Sequence, residues 1–268
     1  MTPSYPVVAS VSGGKDSAAL CLHLRERGIP YRAVHMDTKW EHPDTDAYIR
    51  EVLDPAIGPI EWITPPLGFA DLCRKKGFFP SRLTRFCTQQ LKLFPFFKWI
   101  EANYGTQQIS NAIGIRSGES EARSRLGEFE TTSYGEIWRP LIDWSEQDVI
   151  DIHKRHGLPP NPLYLRGAAR VGCWPCIFSR KSEIKFLAKT DPERIAEIEF
   201  LESELQMRMM ERGPCAHLPS FFQPRDEQTY PIRKVVEWAR TSRGGKQIEL
   251  FDDQDARSGC LRWGTCEV

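Results

Sequence analysis

Residues 7–24, VVASVSGGKDSAALCLHL, dictate a strand, a sharp turn and a helix in immediate succession. Residues 7–11 are mostly apolar and β-branched, and the stretch from 16 carries apolar side chains at helical spacing. Between them, Gly13 and Gly14 let the backbone bend tightly and bring its N–H groups close to a ligand. Ser12, Ser17 and the positive end of the helix dipole then face whatever anion sits there. Lys15 adds a point charge, and Asp16 supplies a carboxylate able to hold a magnesium ion. The turn suits a pyrophosphate-like group. It is not the GxxxxGK[ST] phosphate loop, because the glycine spacing differs.

Short apolar runs alternate with helical patterns up to about residue 157. Strands are expected at 5–11, 31–37, 60–64, 108–115 and 137–142, with helices at 16–27, 44–53, 88–103 and 146–156. This order argues for an α/β fold, a parallel twisted sheet flanked by helices, with ligands at the carboxyl ends of the strands. From 157 the texture changes to a Pro/Gly-rich loop, LPPNPLYLRGAARVGCWPC, followed by helical patterns at 191–212 and 232–241. The expected division is a nucleotide-binding α/β domain at 1–157 and a mainly helical, Cys-containing extension at 158–268.

Charge argues neither for nor against nucleic acid, since 36 Lys and Arg balance 36 Asp and Glu. Two local basic clusters stand out, CRKK at 73–76 and SRLTR at 81–85. No run approaches a membrane span, and the start MTPSYPVV lacks a signal-peptide pattern, so the chain reads as cytoplasmic. In a reducing compartment its eight cysteines are more often ligands or nucleophiles than disulfide partners.

Six segments match one family in order. The SGGKDS turn resembles the PP-loop of the ATP pyrophosphatase superfamily, which cleaves ATP between its α and β phosphates. HMDTKWEHPDT (35–45) is similar to the DTGxxFPET stretch of phosphoadenosine phosphosulfate (PAPS) reductases, and RFCTQQLKLFP (85–95) to their arginine–cysteine segment. GIRSGESEARS (114–124) resembles the GxRxxES…R element, and the match continues through WRPLIDWSEQDVIDI and PNPLYLRGAARVGCWPC. The resemblance implies an adenine nucleotide alpha hydrolase-like fold. It implies ATP, or PAPS or adenosine phosphosulfate (APS), on Ser12, Gly13, Gly14, Lys15, Asp16 and Ser17, with Asp37 beside the nucleoside. Lys15, Asp16, Arg116 and Arg123 would act on the leaving group, with Mg2+ between Asp16 and the phosphates.

Cys173 and Cys176 form a CxxC on a loop, a spacing at which two thiolates reach one metal centre. The family positions of Cys87 and of this pair imply a [4Fe–4S] cluster, with zinc or a redox dithiol as alternatives. Cys266 is the preferred fourth ligand, ahead of Cys260 and Cys215. His217, close to Cys215, is the one histidine worth testing as a ligand. Trp263 is expected to shield the cluster. The aromatic run LFPFFKWI (93–100) could stack bases, but its helical spacing favours a core role.

Two departures from PAPS reductases matter. Their PP-loop is degenerate whereas this one is intact, and the tail ends GTCEV without their ECGxH nucleophile. The pattern looks most like the PAPS reductase-like subunits of DNA phosphorothioation systems and related phage proteins. That resemblance implies activation of an acceptor such as DNA or another nucleic acid, with a sulfur-donor partner protein. A genuine PAPS or APS reductase and a nucleotide-binding redox sensor are the competing readings. No membrane partner is expected, and a homo-oligomer is left open.

Overall fold

A computed structural model of the chain describes residues 2–211, 213, 218–222, 230–242 and 263. Among these residues, six strands form one twisted sheet in the order β3-β2-β1-β4-β6-β5. They are β1 (Val7–Val11), β2 (Tyr31–Met36), β3 (Ile60–Ile63), β4 (Ile109–Ile113), β5 (Phe129–Thr132) and β6 (Gly135–Trp138). Strands β3, β2, β1, β4 and β6 are parallel, and β5 closes the edge antiparallel to β6. The expected α/β architecture is observed. Strand order reverses between β1 and β4, which opens a crevice at the carboxyl ends of these strands, where ligands bind in open α/β sheets.

The edge hairpin escaped sequence reading because β5, Phe-Glu-Thr-Thr, is largely exposed and has almost no apolar signal. The last parallel strand sits at 135–138 rather than 137–142. The Arg139 N–H still bonds the Glu128 carbonyl, and Pro140, which has no N–H to donate, comes next.

Helix α1 (Lys15–Glu26) follows β1 and is buried along nearly its whole length. Two further helical rods pass through an internal proline. The first comprises α2 (Pro43–Tyr48), a π turn at Ile49–Leu53 and α3 (Asp54–Ile57), with Pro55 inside it. The second comprises α5 (Phe86–Thr88), a π turn at Gln89–Leu93 and α6 (Phe94–Tyr104), with Pro95 inside it. Proline lacks an N–H and crowds the carbonyl four residues back, and a widened turn just before it lets each rod continue. Between these rods lies α4 (Phe69–Lys76), ended by Gly77 in the left-handed region.

Short helices α7 (Glu121–Ser124) and α9 (Pro162–Leu165) flank α8 (Glu146–Arg155), which begins at a Ser145–Asp148 capping box. Helices α10 (Lys181–Thr190), α11 (Pro192–Met210) and α12 (Ile232–Arg240) are the last elements among the described residues. Among the described residues, no helix is long and apolar enough to cross a membrane.

One core lies between α1, the sheet and α8, around Leu20, Leu24, Trp138 and Val149. A second unites Trp40, Phe69, Phe79 and Phe86 with Ile184, Leu201 and Val235 from the later helices and with Phe221. Glu202 of α11 is buried in this second core, where its carboxylate accepts the backbone N–H groups of Phe221 and Ile232, each at 2.8 Å. Burial raises its pKa to about 7 against these two bonds. The folded state therefore holds the Glu202 proton more tightly than the unfolded chain does. The resulting stabilisation is full below about pH 4.5 and is lost as pH rises toward 7, on the order of 3 kcal/mol. Urea unfolding at pH 5 and pH 8 should show this loss in the native protein, and Glu202→Gln should flatten that part of the pH dependence. An equal slope in both proteins would refute the assignment.

Candidate functional site

The Ser12–Ser17 loop joins the end of β1 to the start of α1, at the strand-order reversal. Gly13 has φ +72°, and a Cβ there would lie 2.7 Å from Thr45 Cγ2, so both backbone and space require glycine. Ser17 is buried; its Oγ donates to the Gly14 carbonyl at 2.9 Å and accepts the Ser12 N–H at 3.1 Å. The two hydroxyls of Ser12 and Ser17 stand 3.3 Å apart. Asn161, also buried, donates through Nδ2 to the Gly13 carbonyl and to Thr45 Oγ1. The loop is a rigid, pre-shaped cradle at a helix N-terminus.

Its charges are equally fixed. Lys15 Nζ lies 3.2 Å from Asp16 Oδ2 and 3.6 Å from Glu146, and it sits over the Tyr164 ring at 5.3 Å. Burial works against its charge, but Tyr164, Asp16 and Glu146 outweigh that and hold its pKa above the ordinary lysine value. Arg116 Nε donates to Asp16 Oδ1 at 2.6 Å in a pair shielded from solvent on both sides. In this arrangement Asp16 is a carboxylate between two cations rather than a free magnesium ligand. Arg123 pairs with Glu119, a residue that also accepts the Arg116 N–H at 2.7 Å. Arg116 thus reaches the loop directly, whereas Arg123 buttresses the segment carrying it.

Asp37 ends β2; its carboxylate accepts the Lys39 N–H at 2.8 Å and the Thr64 hydroxyl at 3.1 Å. Burial first, then the charges of Glu41 and Asp37, raises the Asp46 pKa to about 6. Three neighbouring carboxylates make this side of the crevice hostile to phosphate and suited to hydroxyl or amine groups.

Several residues that frame the loop gave no motif in the sequence. His153 Nε2 lies 2.9 Å from the Lys15 carbonyl oxygen and Nδ1 3.3 Å from that of Leu158, and burial lowers its pKa against these two contacts. Tyr164 Oη accepts the Lys15 N–H at 3.3 Å. Trp263 packs edge-on against His153 and beside Tyr164, with ring centroids 5.1 and 6.4 Å apart. It covers the back of the phosphate loop, whereas sequence position suggested a cysteine site.

Cys87, Cys173 and Cys176 converge from two directions. Cys87 rides on α5, and the other two flank the Trp174–Pro175 dipeptide of the loop. All three are free thiols. Cys173 and Cys176 line a cavity of about 150 Å³ together with Lys92, Arg170, Ser179 and Glu183. Lys92 was not anticipated. The Cys173 charge raises its pKa most, with Glu41, Cys176 and Cys87 adding to the effect against burial. Burial in turn raises the pKa of the Cys173 thiol, and Lys92 partly offsets this.

Among the described residues, no three ligating side chains close around a single metal ion. Three soft thiols and a cavity nonetheless fit the donor chemistry of an iron–sulfur group, which takes four thiolates. Cys266, Cys260, Cys215 and His217 lie outside the described residues.

Comparison with known proteins agrees with this geometry. Residues 6–179 match the phosphoadenosine phosphosulfate reductase domain. A 37.8 kDa protein of Escherichia phage 186 is 32% identical over 97% of this chain and 96% of its own length. The adenosine 5′-phosphosulfate reductase of Burkholderia cepacia is 40% identical over 57% of the chain and 62% of the reductase. The fold is similar to that of the PAPS reductase from Candida auris in its phosphate complex. There the TM-score is 0.50 at 19% identity, covering 64% of this chain and 83% of that one. With an intact Ser-Gly-Gly-Lys-Asp-Ser loop at the switch point of such a sheet, the chain belongs to the PAPS reductase-like family of the PP-loop ATP pyrophosphatase superfamily.

Proposed function

We propose that this chain binds ATP on the 12–17 loop, releases pyrophosphate, and so activates an acceptor oxygen for replacement by sulfur. The observation that carries this reading is the complete phosphate cradle, with Lys15 and Arg116 held on either side of Asp16. In the proposed first step an acceptor oxygen attacks the α-phosphorus, the α–β anhydride bond breaks, and pyrophosphate leaves with the bonding electron pair. The loop N–H groups, the Ser12 hydroxyl, Lys15 and Arg116 stabilise the charge that builds on the leaving group. The acceptor now carries AMP. In the second step hydrosulfide attacks the activated centre and AMP departs, leaving sulfur where oxygen had been. The acidic side of the crevice, around Asp37, would accept hydrogen bonds from the ribose hydroxyls. Mg2+ would add charge neutralisation on the phosphate oxygens.

Cys87, Cys173 and Cys176, with Cys266 as the proposed fourth ligand, would hold a [4Fe–4S] cluster, which supplies electrons or sulfur when bound. Lys92 would offset the negative charge of the thiolates there. The acceptor would be a nucleic-acid backbone phosphate, with sulfur delivered by a partner protein.

One observation favours a second reading, a sulfonucleotide reductase acting on APS or PAPS: relatives named adenosine 5′-phosphosulfate reductase reach 40% identity. That reading needs a bound sulfonucleotide and a cysteine nucleophile, and it makes no use of ATP cleavage.

Lys15→Met should lower ATP-dependent pyrophosphate release by about a hundredfold, the scale expected for one preorganised charge-stabilising donor. Iron content should stay unchanged, and circular dichroism should show that the variant is folded, with a lowered melting temperature because the Asp16 pair loses one cation. Sulfite release from APS at full rate by the same variant, with no pyrophosphate from the native protein, would replace the first reading by the second. Iron and acid-labile sulfide on anaerobically purified protein should approach four of each per chain. Cys176→Ser should reduce both sharply. Full iron retention in that variant, or zinc in the native protein, would remove the cluster from the proposal.

A further inference from the structure

The chain is neutral overall, yet residues 72–100 contain seven Lys and Arg and no Asp or Glu. Arg74 is neutralised by Asp71 and Glu204, and Lys92 turns toward the cysteines. Lys75, Lys76, Arg82, Arg85 and Lys98 remain exposed. Among the described residues, neither Arg82 nor Arg85 has a carboxylate partner, whereas Arg125, Arg155, Arg166 and Arg233 are exposed and ion-paired. The guanidinium groups of Arg82 and Arg85 instead sit 5.8 and 5.0 Å from the ring centre of Phe178, two residues beyond Cys176. Arg85 also donates to the Thr88 hydroxyl at 3.3 Å, so two cations with no carboxylate partner among the described residues stand on the cysteine loop itself.

Apolar side chains are interleaved with these charges. Helix α6 buries Phe96 and Ile100 against the sheet, so its core face is already satisfied. Leu93, Phe94 and Phe97 lie on other sides of the helix and are 41%, 52% and 39% exposed, next to Lys98. Leu83, between the two arginines, is 98% exposed. From Arg85 to Lys98 the rod runs about 20 Å at the helical rise per residue. Such a length suits a polymer rather than a single small anion.

We propose that the 74–98 face binds a single-stranded polynucleotide and leads it to the mouth of the cysteine cavity. Unpaired cations track the phosphates while exposed rings stack bases, which is how single strands are held without sequence readout. A duplex would keep its bases from those rings. The proposal extends the sulfur-transfer reading by naming where the acceptor lies, and it is tested apart from that chemistry.

The test is fluorescence anisotropy of a labelled 20-nucleotide single-stranded DNA with the full-length protein, across a salt series. Arg82→Gln/Arg85→Gln should reduce the slope of log affinity against log salt by about 1.4 and weaken binding roughly 25-fold at 0.1 M salt, as loss of two phosphate contacts requires. Phe94→Ser/Phe97→Ser should weaken binding by about tenfold or more with a smaller change in slope. A matched duplex should bind less tightly than the single strand. Lys15→Met, which disables only the proposed nucleotide chemistry, should bind as the native protein does, so failure of catalysis and failure of this surface remain distinguishable. Circular dichroism melting confirms that each variant is folded. No binding by the native protein, or binding that neither double variant weakens, would overturn the proposal. Concentration-dependent dimerisation in sedimentation velocity, abolished by Phe94→Ser/Phe97→Ser, would assign the face to a second copy of the chain instead.

Discussion

The ion pair between Asp16 and Arg116 joins the two halves of the sheet at the point where strand order reverses. Asp16 opens α1 after β1, and Arg116 lies just beyond β4, so the 2.6 Å contact fixes one strand end against the other. The backbones are as close as the side chains: a Cβ on Gly114 would fall 2.4 Å from the Asp16 carbonyl oxygen. Removing one member of a buried pair costs about 3–5 kcal/mol, because the remaining charge stays desolvated. The energy is not in the pair alone. Lys15 takes the second Asp16 oxygen, so the carboxylate holds two cations at a helix N-terminus, where they would otherwise repel each other. The arrangement stores positive charge beside the phosphate cradle without leaving it free to collapse.

The parts legible in the sequence are those whose causes are local. The strand–turn–helix at 7–24 follows from β-branched residues, paired glycines and helical apolar spacing, and the structure forms it within two residues of the expected bounds. All five expected parallel strands are present. Local signals failed where another segment decides. Strand β5 exists because β6 offers it an edge, and the rods at 43–57 and 86–104 survive their prolines because tertiary packing holds a widened turn in front of each. At the candidate site, the loop residues Ser12, Gly13, Gly14, Lys15, Asp16 and Ser17 were readable as one motif. Asn161 and Tyr164 lie in the PNPLYLRG segment marked by resemblance and His153 just past WRPLIDWSEQDVIDI, but nothing in the sequence gave any of them a contact with a loop so distant along the chain.

The same reasoning explains Lys92. In sequence it is one of 36 basic residues; in the fold it is the cation surrounded by Cys87, Cys173, Cys176 and Glu41. Cys87 and Cys173 lose their protons reluctantly, since burial and the charge of neighbouring Cys176 both favour the neutral form. A lysine among them lowers that cost. Thiolate character at this cavity thus depends on a helix contributed by residues 86–104 as much as on the CxxC loop.

The two candidate centres share one short piece of chain. Asp37 closes β2 on the side of the proposed nucleotide site, and four residues later Glu41 pairs its backbone with Cys173. Between them, the Thr38 hydroxyl lies 3.9 Å from Cys173 Sγ and donates to Glu41 at 2.7 Å. The Trp40 carbonyl accepts the Trp174 N–H at 2.8 Å, and the Trp40 indole donates to the Pro175 carbonyl at 3.1 Å. The cysteine loop therefore hangs from the carboxyl end of β2 rather than forming a separate module. Trp40 is itself fully buried between Phe69, Phe221 and the Arg194 guanidinium, so this segment cannot shift without disturbing the second core. A displacement at Asp37 would pass to the thiols through packed side chains and main-chain hydrogen bonds, a contiguous physical route. Rigid suspension of one site from the other keeps their separation fixed, which a two-step transfer on a single acceptor requires.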